Sequence, residues 1–148
     1  MSAAKYLLDT SALLTLIEAE EGADRVEQLL RRETMLITAV SLLEVRYITL
    51  QEEGLPEADV RHALLKRSGA EILWELDEPT LLQAANFKAG HPISLADAII
   101  AAHARQQGAI LLHKDPEFDA LAGQVTLEAL PFIPCQFWDA SEALLIWW

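Results

Sequence analysis

The sequence predicts an α/β protein, a three-layer α/β/α sandwich around a mostly parallel central sheet. Short β-compatible runs alternate along the chain with stretches whose apolar residues recur at helical spacing, the pattern of strands joined by crossover helices. A length of 148 residues is that of one ordinary domain, which on folding buries about 70% of the surface its extended chain exposes. Apolar residues make up 52% and charged residues 23%, too apolar a balance for a disordered region or a polar linker.

Tyr6-Leu7-Leu8 is the first strand, closed by the polar turn Asp9-Thr10-Ser11, after which Ala12, Leu13, Leu16 and Ile17 mark a helix. Gly22 breaks that helix. Ala23, Val26, Leu29 and Leu30 form one face of a second, which ends at Arg31 and Arg32, where cations suit the C-terminal dipole. Residues 35–40 are β-compatible. Ser41 then opens a helix over 42–53, stopped by Gly54, and Pro56 sits in the first turn of a fourth helix ending near Gly69.

Residues 71–76 read as a strand with Ile72 and Trp74 on one side, and Asp77 before Pro79 as the N-cap of a helix to about Ala89. Gly90-His91-Pro92 is a turn. Ser94 starts the most apolar helix, whose Ile99, Ile100 and alanines predict burial on more than one side, and Gly108 ends it. A strand over 109–112, the turn Lys114-Asp115-Pro116, a short helix over 118–121 and a weak strand over 125–127 follow. No repeat or linker interrupts the pattern, so 1–148 reads as one domain with 134–148 as a C-terminal tail.

Eleven Lys and Arg against 23 Asp and Glu leave a net charge of −12, which excludes the broad basic surface most nucleic-acid binders use. Any polyanion must be held another way. The single cysteine, Cys135, makes no internal disulfide or thiolate cluster and suits a reducing interior. With no signal-like N-terminus and no apolar run near 18 residues, the expectation is a cytoplasmic protein that crosses no membrane.

Parallel sheets place their chemistry at the carboxyl ends of the strands. Asp9 and Asp115 each follow a predicted strand, while Glu44 and Asp97 fall in the first turns of helices begun by Ser41 and Ser94. If both helices enter from the same sheet edge, the four acids converge. Crowded carboxylates raise one another's pKa, a hard divalent ion offsets the repulsion, and oxygen ligands without clustered His or Cys favour Mg²⁺ or Mn²⁺ over Zn²⁺. The competing explanation is local: Ser41 to Glu44 and Ser94 to Asp97 both fit the capping box, in which the acid bonds back to the cap amide and needs no metal. For either helix alone, capping is the better reading. Joint occurrence with two strand-end aspartates shifts the balance toward a site.

These stretches resemble the PIN-domain nucleases, especially the VapC-type toxins of toxin-antitoxin pairs. Leu8-Asp9-Thr10-Ser11-Ala12-Leu13 is similar to the family's opening motif, Ser41-Leu42-Leu43-Glu44-Val45 to its second, and residues 94–101, centred on Asp97, to its third. The resemblance implies a metal-dependent endoribonuclease. Asp9, Glu44, Asp97 and Asp115 would be its catalytic and metal-binding acids, supported by Ser11 and Glu117, with Mg²⁺ or Mn²⁺ as cofactor and RNA as substrate. In the fourth motif His113 stands where the family has Thr or Ser, and Glu117 where it has Asp. His113 could contact a phosphate or simply be polar at a strand end, and the second is favoured. Arg46, Arg105 and Lys114 are the nearest basic residues for substrate.

The resemblance also implies a homodimer and a small antitoxin that blocks the site. Beyond Lys114 the chain has no Lys or Arg and six acids, a surface suited to a basic partner segment, and the apolar stretch 143–148, ending in Trp147 and Trp148, is either an interface or a self-packed end. Two other readings stay open: a catalytically silent PIN-like binding module whose acids cap helices, and a receiver- or phosphatase-like module using Asp9. The second fits poorly, since dehalogenase-type phosphatases need an acid where Ser11 stands and receivers carry paired acids near the first strand end.

Overall fold

In the computed structural model, which describes residues 4–131, five strands pair in parallel throughout. They are β1 (Lys5–Leu8), β2 (Thr34–Thr38), β3 (Glu71–Leu73), β4 (Ile110–His113) and β5 (Leu127–Ala129), in the order β3-β2-β1-β4-β5. Helices α1 (Thr10–Ile17), α2 (Ala23–Arg32), α3 (Ala39–Glu52), α4 (Leu55–Lys66), α5 (Glu78–Gly90) and α6 (Leu95–Gln107), with a 3-10 turn at Pro116–Leu121, make the connections. The α/β sandwich read from the sequence is the fold observed.

Alternation along the strands separates two cores. Leu7, Leu36 and Leu111 pack with Phe87, Ile100 and Phe118, whereas the adjacent Leu8, Ile37 and Leu112 pack with Leu13, Val26, Val45 and Leu65. Strand side chains point alternately to opposite faces, so each three-residue run feeds both layers. Each fully buried Leu or Phe here contributes about 1.5–3 kcal/mol. On α6, Ala98, Ile100, Ala101, Ala102 and Ala104 are all buried, the burial on several sides that its composition predicts. Gly22 adopts φ +100° where α2 begins, a conformation that strains any residue with a Cβ, and a Cβ there would also press on Pro131 Cδ at 3.2 Å.

Several element boundaries differ from the expectation. Helix α3 starts at Ala39 rather than after Ser41: Thr38, the last residue of β2, has extended backbone and its Oγ1 accepts the Ser41 N–H at 3.1 Å. Strand β3 stops at Leu73 instead of Leu76, since β2, its one neighbour among the described residues, ends at Thr38, the partner of Leu73. Trp74, beyond that last pair, is exposed. The final strand lies at Leu127–Ala129, where the register of β4 sets it, and Val125 makes only an isolated bridge to Ala122. The tail 134–148, with Cys135, Trp147 and Trp148, lies outside the described residues.

The chain runs from β1 outward to β2 and β3, then crosses to the other side of β1 for β4 and β5. That reversal puts the switch point between β1 and β4, where an open parallel sheet leaves a crevice at its carboxyl edge. Asp9 and Asp115 follow those two strands.

Candidate metal centre

Asp9 is the N-cap of α1, its Oδ1 accepting the Ala12 N–H at 2.8 Å. The Ser11 hydroxyl lies 2.7 Å from both Asp9 carboxylate oxygens and donates to them. The same Ser11 oxygen accepts the Lys114 backbone N–H at 2.9 Å, fastening the turn after β4 to the turn after β1. Burial is the largest influence on Asp9 and pushes its carboxyl from 3.8 to about 7. The Ser11 hydroxyl and the Ala12 and Ser11 amides oppose that rise, and the charge of Asp115 adds to it.

Asp97 enters from α6. Ser94 is the N-cap, its Oγ accepting the Asp97 N–H at 3.1 Å, so that half of the capping box is present. The other half is redirected, since the Ser94 N–H faces Glu117 Oε2 at 3.5 Å. Asp97 is pushed up to about 8, first by burial, then by its hydrogen bond to Glu117 and by the charges of Asp115 and Asp9.

Asp115 caps the 3-10 turn, its Oδ1 accepting the Glu117 N–H at 2.9 Å, with Pro116 between them. This tight turn brings the Glu117 side chain back toward Asp97. Asp97, Asp115 and Glu117 each offer a carboxylate oxygen within 4.8 Å of the others. Asp9 stands close enough that its charge acts on Asp97. Spacing alone does not reveal Glu117's place; the signal available was Asp-Pro-Glu, an N-cap followed by the residue favoured at the first position of a helical turn.

Glu44 lies apart from that trio. Because α3 starts at Ala39, capped by Thr38, Glu44 falls in the second turn, and its Oε1 accepts the Thr10 hydroxyl at 2.6 Å. Ser41, buried, takes part in the adjoining hydroxyl cluster with Thr10 and Thr38. The capping box expected of Ser41 and Glu44 is therefore corrected: Thr38 is the cap. Thr10 still links Glu44 to the residue next to Asp9.

The basic residues are engaged elsewhere. Arg46 pairs with Asp59 of α4 at 3.0 Å. Arg105 is in the last turn of α6, about 12 Å along the axis from Asp97, and donates to the Gln124 carbonyl. Lys114 Nζ donates to the Glu21 carbonyl at 2.9 Å and to Glu20 Oε2 at 3.3 Å. His113 is 2% exposed and packs at 5.2 Å from the Phe118 ring. Its Nδ1 has no partner among the described residues, and burial lowers its pKa. That placement agrees with a strand-end residue and offers little face to a phosphate.

The PIN domain family matches residues 6–124 of the sequence. The chain belongs to the PIN domain family. A sequence comparison with curated proteins finds no match. Similar solved folds include VapBC2 from Rickettsia felis bound to a DNA fragment from its promoter, with TM-score 0.71 and 19% identity over 86% of this chain and 99% of that one. VapBC-1 from nontypeable Haemophilus influenzae has TM-score 0.69 and 22% identity over 84% and 97%. The Mycobacterium tuberculosis toxin VapC20, described as cleaving the sarcin-ricin loop, has TM-score 0.68 and 19% identity over 85% and 99%. At these identities the likeness establishes the fold. In this PIN domain the acidic trio sits at the β1–β4 switch point, and the donor set, all carboxylate oxygen and partly desolvated, fits a hard divalent cation.

Proposed function

We propose that this PIN domain is a metal-dependent endoribonuclease and the toxin of a toxin-antitoxin pair. The observation that carries the reading is the convergence of Asp97, Asp115 and Glu117 oxygens within 4.8 Å, with buried Asp9 beside them. Three or four carboxylates so placed are unfavourable together unless protons or a cation offset their charge. Mg²⁺ or Mn²⁺ would be held by Asp9, Asp97 and Asp115 with Glu117, while Glu44 acts through Thr10 at the next position along. When bound, the ion supplies polarisation of a phosphoryl oxygen and activation of water.

The chain's own groups do the rest. Ser11 orients the Asp9 carboxylate, the first turn of α6 aims Asp97, and the Asp115-capped turn sets Glu117. A carboxyl poised near 7, as Asp9 is, exchanges protons readily at neutral pH. RNA is favoured over DNA by the likeness to VapC20, described as a toxin that cleaves the sarcin-ricin loop. A dication also reconciles RNA binding with a net charge of −12.

The VapBC assemblies among the similar folds support a small antitoxin partner, and the acidic run after Lys114 suits a basic segment of it. Leu43, Tyr47 and Leu50 are exposed at helical spacing on α3, an apolar stripe that supports the homodimer reading. Among the described residues no helix is long and apolar enough to cross a membrane, and the single cysteine suits the reducing, cytoplasmic site of action that this reading expects.

The test is cleavage of mixed RNA and of DNA of matched sequence with Mn²⁺, Mg²⁺ or chelator, comparing the unaltered chain with Asp9→Asn and Asp97→Asn. Metal-dependent RNA cleavage lost in both variants supports the reading. Cleavage that survives both substitutions sinks it.

A further inference from the structure

We propose that Lys114 is a positioning residue, which anchors the turn carrying Asp115 and Glu117 to the loop between α1 and α2 and so keeps those acids in register for the cation; the metal part rests on the nuclease reading above. Lys114 is the one residue between the end of β4 and Asp115, and it is held at two points. Its backbone N–H donates to Ser11 Oγ at 2.9 Å, the oxygen that also serves Asp9. Its side chain makes the second contact, Nζ donating to the Glu21 carbonyl at 2.9 Å and to Glu20 Oε2 at 3.3 Å.

The side chain is only 13% exposed, so its ammonium is not a free cation awaiting a phosphate. The loop it grips is itself tightly determined. Ala19 is held at φ +52°, a left-handed conformation costly for a residue with a Cβ, and the Glu20 N–H donates to the Thr15 carbonyl at 3.0 Å. Acids crowd there as well: burial and neighbouring Glu20 and Glu52 raise the Glu18 carboxyl, against the pull of Arg61. Lys114 and Arg61 thus offset the acidic loop from two sides, with Arg61 reaching Glu18 at 3.5 Å. A fixed loop makes a firm anchor. An exposed ion pair is worth little, and Glu20 is 45% exposed; the anchor therefore rests on the covered Lys114 side chain, its bond to the Glu21 carbonyl and its place one backbone step from a candidate ligand, the position from which supporting groups tune metal affinity.

The experiment follows Lys114→Ala, Lys114→Arg and Glu20→Gln in the full chain by two readouts: Mn²⁺ affinity by calorimetric titration, and amide hydrogen exchange at Glu117 in the metal-free protein. Lys114→Ala is expected to speed exchange at Glu117 and weaken Mn²⁺ binding about tenfold, Glu20→Gln to act in the same direction, and Lys114→Arg to recover most of both. Unchanged exchange and unchanged Mn²⁺ affinity in Lys114→Ala, with weaker RNA binding alone, would mean direct phosphate contact and overturn the proposal. If Lys114→Ala is too unstable to purify, Glu20→Gln with unaltered exchange overturns it equally. Should the unaltered chain take up no Mn²⁺, the nuclease reading falls, while the exchange arm still decides whether Lys114 anchors the turn.

Discussion

Asp97 of α6 and Glu117 of the 3-10 turn hold carboxylate oxygens within 4.8 Å of each other, and burial together with that closeness makes Asp97 keep its carboxyl proton well above the ordinary carboxylate range. Asp97 holds that proton up to about pH 8 and Asp9 holds its own up to about 7.

A cation must displace those protons. Mn²⁺ affinity is therefore expected to rise between about pH 6 and about pH 9, with proton uptake by buffer on binding. Calorimetry in buffers of different ionisation enthalpy measures this directly, and binding without proton release would contradict the assigned trio.

Stability of the metal-free chain should fall as pH rises. Both carboxyls have folded pKa values above the ordinary 3.8, so between about pH 4 and about pH 8 the folded state binds more protons than the unfolded one. Their contribution is fully present below the unfolded value and is lost as pH rises through 7 to 8. Asp9→Asn and Asp97→Asn should flatten that decline in thermal melts. They should also abolish the gain from metal, which at 100 times Kd is about 2.7 kcal/mol for the unaltered chain.

Ser11→Ala removes a hydrogen bond that holds the Asp9 carboxyl down. The acidic limb of the cleavage pH profile should move to higher pH, with the fold retained by circular dichroism. An unmoved profile would mean that Ser11 acts only on the Lys114 turn.

Thr38→Ala should cost about 1 kcal/mol in urea unfolding by removing the α3 cap. No change in midpoint would return the cap to Ser41.

Asp9, Asp97 and Asp115 were legible because strand ends and first helical turns are marked by composition: apolar runs stop, and Ser94 or Asp9 begins a helix. Thr38 and Ser41 both have cap chemistry, and spacing could not choose between them. The choice was made by β2, whose pairing with β1 ends near Ile37 and leaves Thr38 extended. Glu117's proximity to Asp97 depends on a tight turn closing across two layers. Lys114 was read as a basic residue near the substrate because its partners, Glu20 and Glu21, lie far away along the chain. Trp74 was assigned to a strand by alternation, but alternation does not supply a neighbour to pair with.

The seam where Tyr6 pairs with Ile110 and Leu8 with Leu112 joins opposite ends of the described polypeptide. Such distant pairing forms slowly, and a nascent chain still lacking its β4 segment has only part of its acidic cup. The acidic trio is thus assembled only once that late strand has docked beside β1, because Asp115 and Glu117 follow it along the chain.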